Sequence, residues 1–153
     1  MLPIKTILVA TDFSSMSEHA FQFAGALARD YGARLIALHA AQPLAAVYSE
    51  TAVFVEEKDS SAAREALHAL RVNGVDVEYR LVEGEPAATI VDVARATDCN
   101  LIVMGTHGRG GIARVLLGSV AEDVLRRAPC PVLTVKADAA VPSETARHET
   151  VGA

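Results

Sequence analysis

Five short, almost wholly apolar runs recur along this chain, each separated from the next by residues at helical spacing. No other feature narrows the fold as far. The runs are Thr6-Ile7-Leu8-Val9-Ala10, Arg34 to Ala40, Val75 to Val82, Leu101-Ile102-Val103-Met104 and Val132-Leu133-Thr134-Val135. A strand apolar at nearly every position is buried on both faces, as in a parallel sheet covered by helices. The third run alternates instead, with Val75, Val77, Tyr79 and Leu81 against Asp76, Glu78 and Arg80, which places it nearer an edge. The order β-α-β-α-β-α-β-α-β requires right-handed crossovers. It therefore predicts a doubly wound, five-stranded parallel sheet with helices on both faces.

The intervening helices show their inner faces by spacing. The stripes are Ala20, Phe23, Ala24 and Leu27; Ala63, Ala66, Leu67 and Leu70; Ala87, Ile90, Val91 and Ala94; and Ala121, Val124, Leu125 and Ala128. Ser15 with Glu18 and Ser119 with Glu122 fit capping boxes. Gly32 and Gly74 stop the first two helices, and Pro86 suits the first turn of the third. From Gln42 to about Asp59 no clean period survives, a length of loop that is usually a lid, a partner-contact segment or disordered. From Ala137 onward the composition turns small and polar, so residues 1–136 read as one domain and 137–153 as a flexible tail.

With 153 residues, 51% of them hydrophobic, the chain can bury a sizeable core. Aromatics are only 5% and tryptophan is absent, so that core must be aliphatic. A formal charge of −5 argues against non-specific nucleic-acid binding, which needs a basic face. No apolar run approaches the ~18 residues of a membrane span, and no signal peptide opens the chain, so a cytoplasmic protein is expected. Cys99 and Cys130 lack metal or redox-motif spacing and read as small buried hydrophobes. A disulfide between them would require their two strands to be neighbours.

The chemistry concentrates in Leu101 to Ser119. An apolar strand runs into a loop with Gly105, Gly108, Gly110 and Gly111, which closes at Gly118-Ser119 before a helix. Glycines let backbone N–H groups approach an anion, and a helix N-terminus adds partial positive charge. In doubly wound sheets the ligand lies beyond the carboxyl ends of the strands, where the strand order reverses. The loop lacks the lysine-bearing GxxxxGK[ST] cradle, and no GxGxxG follows the first strand. Asp12 either serves a binding site or satisfies donors in its own turn. Arg109 either neutralises a phosphate or is a solvated loop cation. His107 reads as a solvent-facing loop residue and His39 as a hydrogen-bonded core histidine.

The spacing Gly105-x2-Gly108-x9-Gly118-Ser119 after a strand reading LIVMG resembles the nucleotide-binding signature of the universal stress protein family. The resemblance extends to Ala10-Thr11-Asp12-Phe13-Ser14, Leu38-His39-Ala40 and Pro129-Cys130-Pro131-Val132, and covers about residues 4 to 136. It departs at Ala10, where a proline is common, and in a longer middle segment. It implies a Rossmann-like, ATP-binding domain acting in the stress response, with ADP or AMP as alternative ligands and Mg²⁺ or Mn²⁺ beside the nucleotide. By position, Asp12 would lie near the ribose or a metal ion, with Ala10 and Thr11 beside it. Ala40 would offer main-chain bonds to adenine, and Met104 and Gly105 would line the ribose. Gly108, Gly110, Gly118, Ser119 and Val120 would hold the phosphates, with Arg109 nearby. The resemblance also implies a homodimer through residues 131–136. The alternative function is a slow ATP hydrolase or nucleotidyl-transfer enzyme, against which stands the lack of a convincing base or lysine clamp.

Overall fold

The computed structural model describes residues 3–42, 60–107, 117–137, 140 and 141. The elements follow the expected alternation: β1 (Thr6–Ala10), α1 (Ser15–Tyr31), β2 (Arg34–Ala41), α2 (Ser60–Ala69), β3 (Val77–Glu83), α3 (Pro86–Ala96), β4 (Leu101–Gly105), α4 (Ser119–Arg127) and β5 (Val132–Val135). The five strands form one parallel sheet in the order β3-β2-β1-β4-β5. The chain thus winds outward from β1 in one direction, then crosses back and winds outward from β4 in the other. The reversal falls between β1 and β4.

Two aliphatic layers hold the sheet to its helices. Ile7, Val9, Leu35, Ala37 and Val103 meet Ala20, Phe21, Ala24 and Ala28 of α1 and Leu67 of α2 on one face. Leu8, Ile36, Leu38, Ile102 and Met104 meet Ala87, Ile90, Val93 and Ala94 of α3 and Ala121 and Val124 of α4 on the other. Consecutive residues of β1, β2 and β4 point into opposite layers, which explains why these strands are apolar at both parities. Each large aliphatic side chain buried in this way stabilises the fold by roughly 1.5–3 kcal/mol relative to exposure. Every buried side-chain nitrogen or oxygen among the described residues has a hydrogen-bond partner.

Several local expectations shift. The α1 stripe is rotated by about one residue: Phe21 is fully buried, while Phe23 and Leu27 are only half-buried. Leu125 is 44% exposed rather than inward, because Ala121 and Val124 centre the α4 stripe and Leu125 lies at its margin. The N-cap of α1 is Ser14, not Ser15, and Ser14 Oγ accepts from the Ser17 amide at 3.2 Å. Ser15 is already helical and exposed. β3 begins at Val77, after a turn in which Gly74 takes φ 72°. It is an edge strand, as its alternation implied.

Cys99 is buried and Cys130 half-buried; both are free thiols. The strands that follow them are indeed neighbours, and both cysteines lie in the layer under α3 and α4, where Cys99 Sγ donates to the Leu101 carbonyl at 3.0 Å. Burial raises both thiols, Cys130 to about 12, with the neighbouring Cys99 adding a second push there. The expected tail and the segment from 43 to 59 lie outside the described residues, save Ala137, Ala140 and Val141.

Candidate functional site

The β1–α1 loop is built around hydroxyl groups. Ser17, in the first turn of α1, is buried, and its Oγ donates to the Ser14 carbonyl at 2.9 Å. Three further groups lie within hydrogen-bond distance of Ser17 Oγ: the Asp12 amide at 3.3 Å, Ser14 Oγ at 3.3 Å and Thr11 Oγ1 at 3.0 Å; with its hydrogen committed, the two lone pairs of the oxygen serve two of them at a time. The Phe13 amide donates to Thr11 Oγ1 at 3.1 Å, and the Ser14 amide donates to Asp12 Oδ1 at 2.9 Å. Asp12 therefore does satisfy a donor in its own turn. Nothing local marks Ser17 as the hub, since Ser14, Ser15 and Ser17 are all of capping type.

Phe13 sits at φ 64°, a left-handed conformation that a bulky side chain adopts only under constraint. Its ring packs against the His39 imidazole, with centroids 4.3 Å apart and planes at 37°. His39 Nδ1 lies 2.8 Å from the Thr11 carbonyl oxygen. A carbonyl can only accept, so Nδ1 carries the hydrogen. His39 is thus the hydrogen-bonded histidine anticipated, but it serves the loop rather than the deep core.

Across the sheet reversal, the end of β4 is closely approached from two sides. A Cβ at Gly105 would stand 3.4 Å from the Met16 carbonyl group and 3.4 Å from the His107 carbonyl oxygen. The Thr106 amide donates to the Val135 carbonyl at 3.2 Å, and the Thr106 carbonyl accepts from the Gly118 amide at 2.6 Å. That last bond brings the start of α4 back to the end of β4. His107 is half-buried rather than solvent-facing, with Nδ1 3.1 Å from Thr106 Oγ1.

The N-cap of α4 is Gly118, with φ −69° and ψ 159° and no side-chain cap bond; Ser119 is its first helical residue, not its cap. The starts of α1 and α3 differ: Ser14 caps one, and the Glu85 carboxylate accepts from the Ala87 and Ala88 amides in the other. At α4 the cap residue, a glycine, offers no side chain of its own to the first-turn amides, which are the groups an anion would meet.

Of the predicted site residues, Ala10, Thr11 and Asp12 end β1, Met104 and Gly105 end β4, and Gly118, Ser119 and Val120 open α4, so the fold gathers these at the reversal. Ala40 lies one strand over, two residues past Leu38, which pairs with Ala10. Gly108, Arg109 and Gly110 lie outside the described residues. No helix among the described residues is long and apolar enough to cross a membrane.

A doubly wound sheet with an uncapped helix start at its reversal defines the class of α/β proteins that take ligands beyond the carboxyl ends of their strands. The profile of the universal stress protein family matches residues 3–136, and the chain belongs to that family. A universal stress protein of Thermus aquaticus is 38% identical over 137 residues, spanning 86% of this chain and 98% of the relative. Among solved structures, UspA from Lactobacillus plantarum aligns with a TM-score of 0.77 at 26% identity, covering 88% of this chain and 99% of the other. A universal stress protein from Archaeoglobus fulgidus, solved in complex with dAMP, aligns with a TM-score of 0.65 at 30% identity, covering 88% and 100%.

Proposed function

We propose that this chain is an adenine-nucleotide-binding stress protein of the cytoplasm, with ATP foremost among its ligands, working as a homodimer. The observation that carries the reading is the start of α4: a glycine cap, which offers no side chain of its own, tied back to Thr106 at the sheet reversal. The dAMP complex of the Archaeoglobus relative supports an adenine nucleotide in particular. In this reading Gly118, Ser119 and Val120 hold phosphate oxygens, with Gly108, Arg109 and Gly110 completing the loop. Met104, Gly105 and Thr11 border the ribose, Ala10 and Asp12 flank it, and the Ala40 main chain meets the base.

A triphosphate brings a divalent ion such as Mg²⁺ or Mn²⁺. Among the described residues no group of three or more His, Cys, Asp or Glu side chains converges. Asp12 would then contribute one carboxylate, and phosphate oxygens and water would supply the remaining ligands, which suits Mg²⁺. Gripping a ground-state phosphate by backbone amides adds no rate by itself, so the protein works by binding rather than by turnover.

The test is identification by mass of small molecules released from purified protein, followed by titration with ATP and AMP. An adenine nucleotide should be released from the native chain and be absent from Gly118→Val. The backbone at Gly118 is one any residue adopts, so the variant should stay folded, its thermal midpoint lowered only slightly by the poorer cap. A native chain that releases no nucleotide and binds neither in titration overturns the proposal.

A further inference from the structure

The Thr11 peptide joins β1 to its loop in an unusual manner. Its amide donates to the Leu38 carbonyl at 2.9 Å, continuing the β1–β2 ladder one residue past β1. In a parallel ladder that keeps this pattern, the Thr11 carbonyl would next take the amide of Ala40. Among the described residues its partner is instead the side chain of the residue between, His39, through Nδ1 at 2.8 Å. The substitution does two things at once. It sets the imidazole under the Phe13 ring, bracing the left-handed turn that carries Asp12. It also relieves the Ala40 amide of the Thr11 carbonyl at the carboxyl end of β2.

We propose that His39 is a positioning residue of the nucleotide site, holding the Thr11 carbonyl so that the Asp12 turn keeps its shape and the Ala40 amide is left to the base. This rests on the nucleotide reading above. It assigns His39 no contact with the ligand; the residue acts through Thr11, Phe13 and Ala40. A left-handed aromatic residue persists only where its surroundings over-determine it. Here the constraint is the Thr11 hydroxyl on one side and the His39 ring on the other.

The requirement is for an N–H at the place of Nδ1, and this makes the idea testable by side-chain chemistry. Asparagine sets an amide nitrogen near that place, glutamine sets it one carbon further out, and alanine offers none. Full-length native protein, His39→Asn, His39→Gln and His39→Ala are titrated calorimetrically with ATP and with AMP. Loss of one hydrogen bond predicts roughly tenfold weaker binding for the alanine and glutamine variants, while the asparagine variant stays near native. A role confined to general stability would not be rescued by asparagine alone. Alanine binding like the native chain, or asparagine binding as weakly as alanine, overturns the proposal.

If the native chain binds no nucleotide, the nucleotide reading fails, and the brace is judged in the free protein by nitrogen-15 NMR. Nδ1 must carry the hydrogen at a pH where the ring is neutral. The amides of residues 11–14 must shift in the alanine and glutamine variants but not in the asparagine variant. A hydrogen on Nε2 alone, or loop amides unmoved by alanine, overturns the brace whatever the ligand.

Discussion

Gly25, midway along α1, presses against the side chain of Val72: a Cβ at position 25 would lie 2.5 Å from Val72 Cγ2 and 3.0 Å from Val72 Cβ. Rotation of Val72 cannot clear the second contact. Gly25→Ala gains about 1 kcal/mol of helix propensity but meets an overpacking cost of roughly 1–3 kcal/mol. We expect a net loss of about 1 kcal/mol in urea unfolding. Introduced into a Val72→Gly background, which removes Cβ as well as Cγ2, the same substitution should be neutral or stabilising. Equal effects in the two backgrounds would show that the contact does not govern the choice of glycine.

Asp98, one residue beyond the Thr97 cap of α3, adopts φ 48°. The left-handed residue that ends α1 is Gly32, at φ 63°, where glycine carries no Cβ penalty. Asp98→Gly is expected to stabilise the protein by up to about 1 kcal/mol, read as a raised thermal midpoint. A lowered midpoint would mean the carboxylate contributes more than the backbone strain costs.

Ser14 and Ser15 separate two readings of the α1 start. Ser14→Ala removes the acceptor for the Ser17 amide and should cost about 1 kcal/mol. Ser15→Ala, at an exposed helical position, should stay within about 0.5 kcal/mol of native. The reverse ranking in chemical denaturation would restore the cap to Ser15.

Burial, reinforced by Cys99, pushes the Cys130 thiol up to about 12 from its ordinary 9.0. The unfolded chain releases this proton at lower pH than the folded one, so ionisation favours unfolding. The thiol's contribution to stability is therefore whole below about pH 9 and is lost progressively as pH climbs toward 12. Urea midpoints measured between about pH 8 and pH 10.5 should fall more steeply for the native chain than for Cys130→Ala. Parallel declines would remove the thiol as a cause.

The outer edge of β5 provides the test of the proposed homodimer. The Ile102 amide donates to the Pro131 carbonyl and the Thr106 amide to the Val135 carbonyl. Residues 131, 133 and 135 thus turn their main-chain groups toward β4, and Val132 and Thr134 turn theirs outward. Thr134→Pro removes an outward N–H while sparing the β4 ladder. Sedimentation should show a dimer for the native chain and a shift to monomer for the variant. A native chain that stays monomeric at all micromolar concentrations would eliminate this edge as the interface.

What could be read in advance followed from how local each feature is. Five apolar runs and four helical stripes specify the layers, because period and burial are written into neighbouring residues such as Leu35 to Leu38 and Ala87 to Ala94. Cap positions were missed by one residue at both Ser14 and Gly118, since Ser14-Ser15 and Gly118-Ser119 each offer two adjacent candidates. The winner is chosen by Asp12 in the first case and Thr106 in the second. Leu125 was misassigned because a stripe's margin depends on which helix lies opposite. The Phe13–His39 contact joins the loop after β1 to β2 itself, so it emerges only when β1 and β2 are laid side by side.

The bond from the Gly118 amide to the Thr106 carbonyl fastens both ends of the glycine-rich excursion to the sheet. The seating of α4 is thereby uncoupled from how many residues intervene, and doubling that number would add only about 0.6 kcal/mol of closure entropy. Evolution or an engineer can lengthen, shorten or graft the stretch between them while the scaffold beneath stays in register.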